Sequence, residues 1–326
     1  MKVLVTGGAG YIGGHTCKEL ARNGFDVVVY DNLSTGYQEF VRWGSLYYGD
    51  LLDLQQLRNA FKEEKPDAVM HFAALSCVGE SQVFPHLYYR NNVTGSLNLF
   101  ECMREFGVKP IVFSSTCAVY GDSIEIPMNE DHPQSPTSVY GVSKWMIERM
   151  LLDFGAAYGF QSVILRYFNA SGADPEGDLG ESHSPETHLI PLALQVASGY
   201  RTHLELFGED YPTFDGTCIR DYIHVNDLAA AHVLALKKLI WEKQSRIYNL
   251  GTGQGYSVRQ VIACVESVTG QKLNVVLAPR RKGDSAFLVA SCEKAQKELN
   301  WKLNYPNLES HIEHAWRWYL KTMQQK

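Results

Sequence analysis

The sequence has no Cys-x-x-Cys pair, no long apolar run and no excess of basic residues. Its seven cysteines (Cys17, Cys77, Cys102, Cys117, Cys218, Cys264 and Cys292) are scattered and odd in number. They do not form the pattern of a disulfide framework, which predicts reduced thiols in a cytoplasmic protein. No stretch approaches the about 18 apolar residues that span a bilayer. Met1–Val5 runs straight into a strand and lacks the apolar core of a secretory leader. With 36 acidic against 30 basic residues the net charge is −6, which predicts no general affinity for nucleic acid or anionic membranes. An anionic small molecule remains possible, because local charge governs a site. Internal repeats and low-complexity segments are absent. What is present is ordinary for a globular chain: 326 residues, 45% hydrophobic and 20% charged. That is long for one domain, short for three, and enough to bury a sizeable core.

Lys2 to Thr6 reads as a short apolar strand. Gly7-Gly8-Ala9-Gly10-Tyr11-Ile12-Gly13 follows, and then a helical pattern to about Arg22. Gly-x-x-Gly-x-x-Gly between a strand and a helix is a dinucleotide phosphate cradle. Gly7 permits the tight turn, Gly10 lets the pyrophosphate approach the backbone, and Gly13 lets the helix pack closely. The helix N-terminus adds free amides and partial positive charge. The next strand, Asp26 to Tyr30, ends at Asp31, 18 residues after Gly13. A carboxylate there accepts a bond from a ribose 2′-hydroxyl and repels a 2′-phosphate, which predicts NAD over NADP. The competing role for Asp31 is a turn residue before Asn32.

After a strand at Tyr47–Tyr48, Asp50 either bonds the adenine amine or caps the helix beginning near Asp53. The strand Ala68–Phe72 leads into the small pair Ala73-Ala74, which leaves room for a cofactor. Asn91 falls on a long helical stretch. The strand Ile111–Ser115 closes in Ser114-Ser115-Thr116. Strands alternating with helices predict an α/β fold with a doubly wound parallel sheet. In such a sheet, ligands sit beyond the C-terminal strand ends. Thr116 is then a hydrogen-bond partner in the crevice, or alternatively a cap or loop hydroxyl.

Tyr140-Gly141-Val142-Ser143-Lys144 opens another helical stretch. Residues four apart share a helix face. The Lys144 ammonium can therefore stand near the Tyr140 ring and lower its pKa from about 10, making a proton shuttle for an alcohol. Alone, the pair is equally an ordinary surface couple.

Thr6–Gly13, Ser114–Thr116 and Tyr140-x-x-x-Lys144 together resemble the extended short-chain dehydrogenase/reductase superfamily. His71-Phe72-Ala73-Ala74 with Val78-Gly79-Glu80-Ser81, and Arg220-Asp221-Tyr222-Ile223-His224-Val225, look like the UDP-glucose 4-epimerase family within it. The similarity runs from residue 1 to about residue 301. It implies a Rossmann domain, residues 1–168 plus about 221–250, interleaved with a smaller α/β substrate domain, about 169–220 plus 251–326. The implied NAD contacts are Gly7, Gly10, Tyr11, Ile12, Gly13, Asp31, Asn32, Asp50, Leu51, Phe72, Ala73, Ala74, Asn91, Ser114, Tyr140, Lys144 and Tyr167. The implied catalytic residues are Tyr140, Lys144 and Thr116.

The same resemblance implies a UDP-hexose site in the second half. Leu165–Phe168 reads as a strand and Asn169 as a ligand-facing turn touching the sugar phosphate, beside Phe168. His188 and Leu189 match the uridine loop, although His188 replaces an asparagine common in relatives. Arg220 and Arg281 match the diphosphate arginines, whose fork suits phosphate oxygens. Asp284 matches the carboxylate on the UMP ribose, and Phe207 belongs to the same set. On its own, the run Arg280–Asp284 also fits a solvated basic turn. Asn226 to Trp241 reads as a helix capped by Asn226. Glu181, His183 and His188 lie close in sequence, but neither their number nor their spacing supports a metal site.

The implied reaction is reversible inversion at C4 of UDP-glucose and UDP-galactose through a transient 4-ketose, a step of galactose and nucleotide-sugar metabolism. A 4,6-dehydratase of this fold carries Asp-Glu where this chain has Cys117-Ala118, so it lacks the acid and base that elimination requires. UDP-uronate and UDP-pentose epimerases share the C4 chemistry and stay open. So does UDP-N-acetylglucosamine, because Leu288 stands where relatives often place a pocket-limiting tyrosine. A non-catalytic NAD-binding protein would not need Tyr140, Lys144 and Thr116 together. A homodimer through helices near 91–104 and 143–154 is also implied.

Overall fold

The computed structural model describes residues 1–281 and 284–323. Its strands are β1 (Lys2–Thr6), β2 (Asp26–Asp31), β3 (Ser45–Tyr48), β4 (Ala68–His71), β5 (Pro110–Thr116), β6 (Gln161–Tyr167), β7 (Asn169–Ser171), β8 (Leu204–Phe207), β9 (Ile219–His224), β10 (Arg246–Leu250), β11 (Gly255–Ser257), β12 (Val275–Ala278) and β13 (Phe287–Leu288). Its helices are α1 (Tyr11–Arg22), α2 (Leu54–Glu64), α3 (Val78–Val83), α4 (Pro85–Tyr88), α5 (Gly95–Glu105), α6 (Val139–Tyr158), α7 (Leu189–Ala197), α8 (Val225–Glu242), α9 (Val258–Thr269), α10 (Glu293–Leu299) and α11 (Leu308–Met323).

Seven strands form a parallel sheet in the order β10-β6-β5-β4-β1-β2-β3. Alternation along each strand sends side chains to opposite faces. Val3, Val5, Val27 and Val29 pack with Leu20 of α1 and with Leu228 and Leu236 of α8. Leu4, Val28 and Val69 pack with Leu57 and Phe61 of α2 and Leu99 and Phe100 of α5. Each such fully buried side chain contributes about 1.5–3 kcal/mol. With both faces covered, the strands read as near-continuous apolar runs rather than alternating ones. The chain reverses its direction of winding between β1 and β4, and at that switch point a crevice opens at the C-terminal strand ends.

The remaining strands lie beyond that crevice. β9 pairs in parallel with β7 and β13 and antiparallel with β11, and β8 pairs in parallel with β12. Leu194 of α7, Val261 and Val265 of α9, and Ile312 of α11 form a separate core around them. Lys18 on α1 joins the two regions. Its ammonium donates to Asp174, Glu176 and Asp178 at 2.7, 2.8 and 2.9 Å. Among the described residues, no helix is long and apolar enough to cross a membrane.

Three local expectations change, and a fourth gains detail. Residue 91 is on a long helical stretch, as expected: α4, a π-helical turn and α5 follow one another without a break from Pro85 to Glu105. Pro85 lacks an N–H and forces Phe84 out of helical geometry (φ −123°, ψ 61°). Asn91 itself lies in a π-turn, Tyr89–Thr94. The cap of α2 is Asp53, which accepts from the Gln56 N–H at 2.9 Å, so Asp50 does not cap it. Asn169 begins β7, paired with Tyr222 of β9, rather than forming a turn. The cap of α8 is His224, whose Nδ1 accepts from the Asn226 N–H at 3.1 Å, because the helix starts one residue before Asn226.

Candidate active site

The cradle is built by close approach. Gly7 has φ +74°, and a Cβ there would lie 2.5 Å from the Ala73 nitrogen. A Cβ on Gly13 would lie 2.2 Å from the Gly7 carbonyl oxygen. Both neighbours are backbone and cannot rotate away. Gly13→Ala is therefore expected to cost about 1–3 kcal/mol and to weaken NAD binding with it. Thermal melts with and without NAD read both effects, and an unchanged pair of curves would reject the assignment.

Asp31 closes the cradle from β2. Its Oδ2 accepts from the Ala9 N–H at 3.0 Å and its Oδ1 from the Leu33 N–H at 2.8 Å. Burial raises its pKa, with the two amide bonds opposing. It is both a turn residue and a carboxylate set at the mouth of the glycine loop, so the two roles proposed for it do not compete. Asn32 donates to Asp50 Oδ2 at 2.9 Å, and Leu51 is buried alongside. The Tyr11 hydroxyl donates to the Gly172 carbonyl at 2.7 Å, and Ile12 packs on the core under α1. After β4, the Phe72 and Ala73 amides donate to the Thr6 carbonyl at 2.9 and 3.1 Å. The Phe72 ring lies 4.8 Å from that of His232, and Ala74 continues the half-buried wall.

Ser138 starts α6 by accepting from the Gly141 N–H at 3.0 Å. That cap sets the first turn, on which Tyr140 and Lys144 are both buried. Thr116, the last residue of β5, is buried beside them. Its Oγ accepts from the Ala118 N–H at 3.2 Å. Thr116 is thus a turn cap, and its hydroxyl also bonds with Tyr140. The Lys144 ammonium donates to the Ser114 carbonyl at 2.9 Å and lies 5.0 Å from the Phe113 ring centroid. The Ser114 and Tyr167 hydroxyls are 2.8 Å apart.

One electrostatic expectation is corrected. Burial drives the Tyr140 pKa up, and the largest opposing influence is a hydrogen bond with Thr116 rather than Lys144. Burial also pushes Lys144 down to about 7, with the Glu148 carboxylate opposing. The shared helix face was legible, but the ammonium is held by the Ser114 carbonyl, and desolvation outweighs proximity.

The network behind these residues had no sequence signal beyond Glu148 lying four residues after Lys144. Glu148 and Arg166 are both buried, with Arg166 Nη2 2.6 Å from Glu148 Oε2 and Nε 3.0 Å from Oε1. The Ser115 hydroxyl donates to Glu148 at 2.5 Å, and Arg166 donates to the Tyr120 hydroxyl at 2.9 Å. This pair locks α6 to β5 and β6. Asn91 turns its amide to Asn92 at 3.0 Å. The neighbouring Asn92 makes the link to α6, donating to Ser143 Oγ at 3.1 Å.

Across the crevice, the Arg281 guanidinium lies 4.7 Å from the Phe207 ring and donates to Asp284 at 3.0 Å. Arg220 lies 3.7 Å from the same carboxylate and donates to the Ser285 carbonyl at 2.8 Å. Four residues spread over nearly eighty positions thus converge, with Lys282 and Gly283 of that run outside the described residues. Asn169, His188 and Leu189 line one small cleft with Glu181 and Tyr222. Leu288 sits opposite Arg220 in the sheet register and packs with Cys117 and Phe168. The guanidinium groups of Arg220 and Arg281 thus share one carboxylate, that of Asp284.

Known proteins resemble this chain over nearly its whole length. The NAD dependent epimerase/dehydratase family pattern matches residues 3–251. The UDP-glucose 4-epimerase of Halalkalibacterium halodurans is 52% identical over 319 residues, covering 98% of this chain and 96% of its own. That of Rhizobium meliloti is 50% identical, covering 99% and 98%. The crystal structure of UDP-glucose 4-epimerase from Brucella ovis in complex with NAD superposes with a TM-score of 0.94 at 48% identity, covering 97% of each chain. That from Bifidobacterium longum in complex with NAD+ and UDP gives 0.94 at 38% identity over 100% of both chains. With the glycine cradle, the Tyr140–Lys144 helix and the guanidinium cleft in place over its whole length, the chain belongs to the NAD dependent epimerase/dehydratase family.

Proposed function

We propose that this chain interconverts UDP-glucose and UDP-galactose by epimerisation at C4. Two observations support the reading: Thr116 ends β5 and bonds with Tyr140 at the start of α6, and Arg220 and Arg281 gather on Asp284. The cradle fits NAD: backbone fills the space a Cβ would take at Gly7 and Gly13, and Asp31 is an acceptor suited to a ribose diol. When bound, NAD supplies a hydride acceptor that returns what it takes.

The chain's own residues do the rest. Tyr140 takes the proton of the sugar 4-hydroxyl and gives it back. Thr116 donates a hydrogen bond at the same oxygen. Lys144, one turn along the same helix face and held by the Ser114 carbonyl, adds positive charge when protonated beside the developing phenolate. Arg220 and Arg281 hold the diphosphate bidentately, Asp284 the ribose, and Asn169 with Leu189 the uridine end. An anchor remote from C4 lets the hexose present either face while the nucleotide stays bound. In this reading residues 1–168 plus about 221–250 carry NAD, and 169–220 plus 251–326 carry the UDP-sugar.

Two coarser traits accompany the reading. Leu97, Trp145, Met146 and Leu152 are exposed on α5 and α6, a face suited to a second copy of the chain. All seven cysteines are free, which suits a reducing, cytoplasmic compartment.

The test is proton NMR of UDP-glucose incubated with the protein and NAD. UDP-galactose is expected to appear, and the same mixture is expected when the reaction starts from UDP-galactose. Accumulation of a 4-keto-6-deoxy sugar, or no change with NAD saturating, would sink the proposal.

A further inference from the structure

The loop ahead of α7 gathers four side chains that the reaction leaves unused or touches only at its edge. Glu181, His183, Glu186 and His188 each present one donor atom, and all four atoms lie within 4.8 Å of one another. Glu181, His183 and His188 alone, by number and spacing, do not suggest a metal site; Glu186 is the added group. The fold supplies the fourth ligand by curling the loop back on itself. Glu186 is fixed for this by the Thr187 and His188 amides, which donate to its Oε1 at 2.7 and 2.8 Å.

The separations within the cluster fit a small cation. His183 Nδ1 lies 3.4 Å from Glu181 Oε1 and 3.6 Å from Glu186 Oε2. His188 Nδ1 lies 3.3 Å from Glu186 Oε1 and 2.7 Å from Glu181 Oε1. Four donors about 2.0–2.1 Å from a tetrahedral zinc ion stand about 3.3 Å apart along each edge. Glu186 Oε1 is taken by the two amides, so Oε2 is its donor; within that set the 3.4 and 3.6 Å separations match, and the 2.7 Å one needs an opening of roughly half an ångström on that geometry. His183 Nδ1 is buried and makes no hydrogen bond, yet it is aimed at two carboxylates. Both carboxylates are nearly buried, with side chains only 9% and 6% exposed. Such a pair must be neutralised.

We propose that Glu181, His183, Glu186 and His188 bind one divalent transition-metal ion of the zinc class, fastening the loop that opens α7. Two imidazoles and two carboxylates favour zinc, cobalt or nickel over magnesium and calcium, which take all-oxygen shells. Glu181, His188 and Leu189 also line the cleft beside Asn169. The ion therefore stiffens the nucleotide end of the substrate cleft and stays clear of Tyr140. That consequence rests on the proposed reaction, but the binding does not.

The experiment titrates chelator-treated full-length protein with cobalt(II) in the absence of UDP-sugar, so failure of the proposed reaction leaves it unaffected. One equivalent is expected to develop the intense visible absorption of tetrahedral cobalt. His183→Gln should lose that absorption and bind at least tenfold more weakly on the same titration. No visible band at one equivalent, or the same titration in the folded variant, would overturn the site.

Discussion

Tyr140→Phe is expected to lower kcat by about 10²–10⁴-fold, the span general acid–base groups contribute, while UDP still binds with nearly unchanged affinity. The split follows from placement. Tyr140 lies on the first turn of α6, while the residues proposed to hold the nucleotide lie across the crevice on β9 and after β12. Removing one hydroxyl leaves Arg220, Arg281 and Asp284 in place. The loss is large because the phenol is buried, so no water can reach in and replace it as a base. Burial also raises its pKa, so phenolate forms only against nearby support. Thr116→Val removes one hydrogen bond, about 1 kcal/mol, and should cost on the order of fivefold. Single-turnover measurements at saturating UDP-glucose, with UDP affinity by calorimetry, check both variants. Near-normal kcat in Tyr140→Phe would remove Tyr140 from the chemistry, and an equal loss of UDP binding would show that the substitution damaged the fold.

What was legible here was local. The glycine spacing, the carboxylate ending β2 and the four-residue step from Tyr140 to Lys144 each depend on one stretch of chain, and a strand or helix period places them without knowledge of the rest. What stayed hidden depends on register between distant strands. Asn169 reads as a turn until Tyr222 of β9 is seen opposite it. Arg166 reads as an ordinary strand residue until Glu148 meets it from α6. Glu186 reads as a loop carboxylate until the loop folds onto His183. The influence of Lys144 on Tyr140 failed for a different reason. Helical periodicity reports which groups share a face, but a pKa also depends on how much solvent has been removed. The arginines at 220 and 281 were placed by resemblance, since no local spacing joins them to each other or to Phe207.

Lowering the pH from 7 to 5 is expected to weaken this protein's folding stability steeply. His15, His71 and His232 are all buried, and burial pushes them down to about 4, 3 and 4. Their surroundings show why. His15 and His232 each use Nδ1 on a carbonyl one turn back, those of Tyr11 and Leu228. Each leaves Nε2 buried with no partner, so a second proton there has no acceptor. His71 is held between the Thr6 and Ser96 hydroxyls at 2.7 and 2.8 Å. Ser96 already donates to the Asn92 carbonyl, so His71 Nε2 must be the donor and Nδ1 the acceptor. The Lys144 ammonium further disfavours charge on His71. All three folded values lie below the unfolded value near 6.5, so the unfolded chain takes up protons first as pH falls. Stability is intact above about 6.5 and is lost toward 4, at about 1.4 kcal/mol per group per pH unit. By pH 5 the three groups remove about 6 kcal/mol, against a typical total of about 5–15 kcal/mol. His183 and His188 act in the opposite direction. Their raised values contribute stability that is whole below about 6.5 and fades above it, for His183 toward 9, so they do not drive the acid loss. Guanidinium unfolding at pH 7, 6 and 5, in the presence of a chelator, should show the midpoint falling steeply over the last step. His232→Gln should flatten that fall by about 1.4 kcal/mol per pH unit. A midpoint at pH 5 equal to that at pH 7 would mean that these histidines are charged in the folded protein.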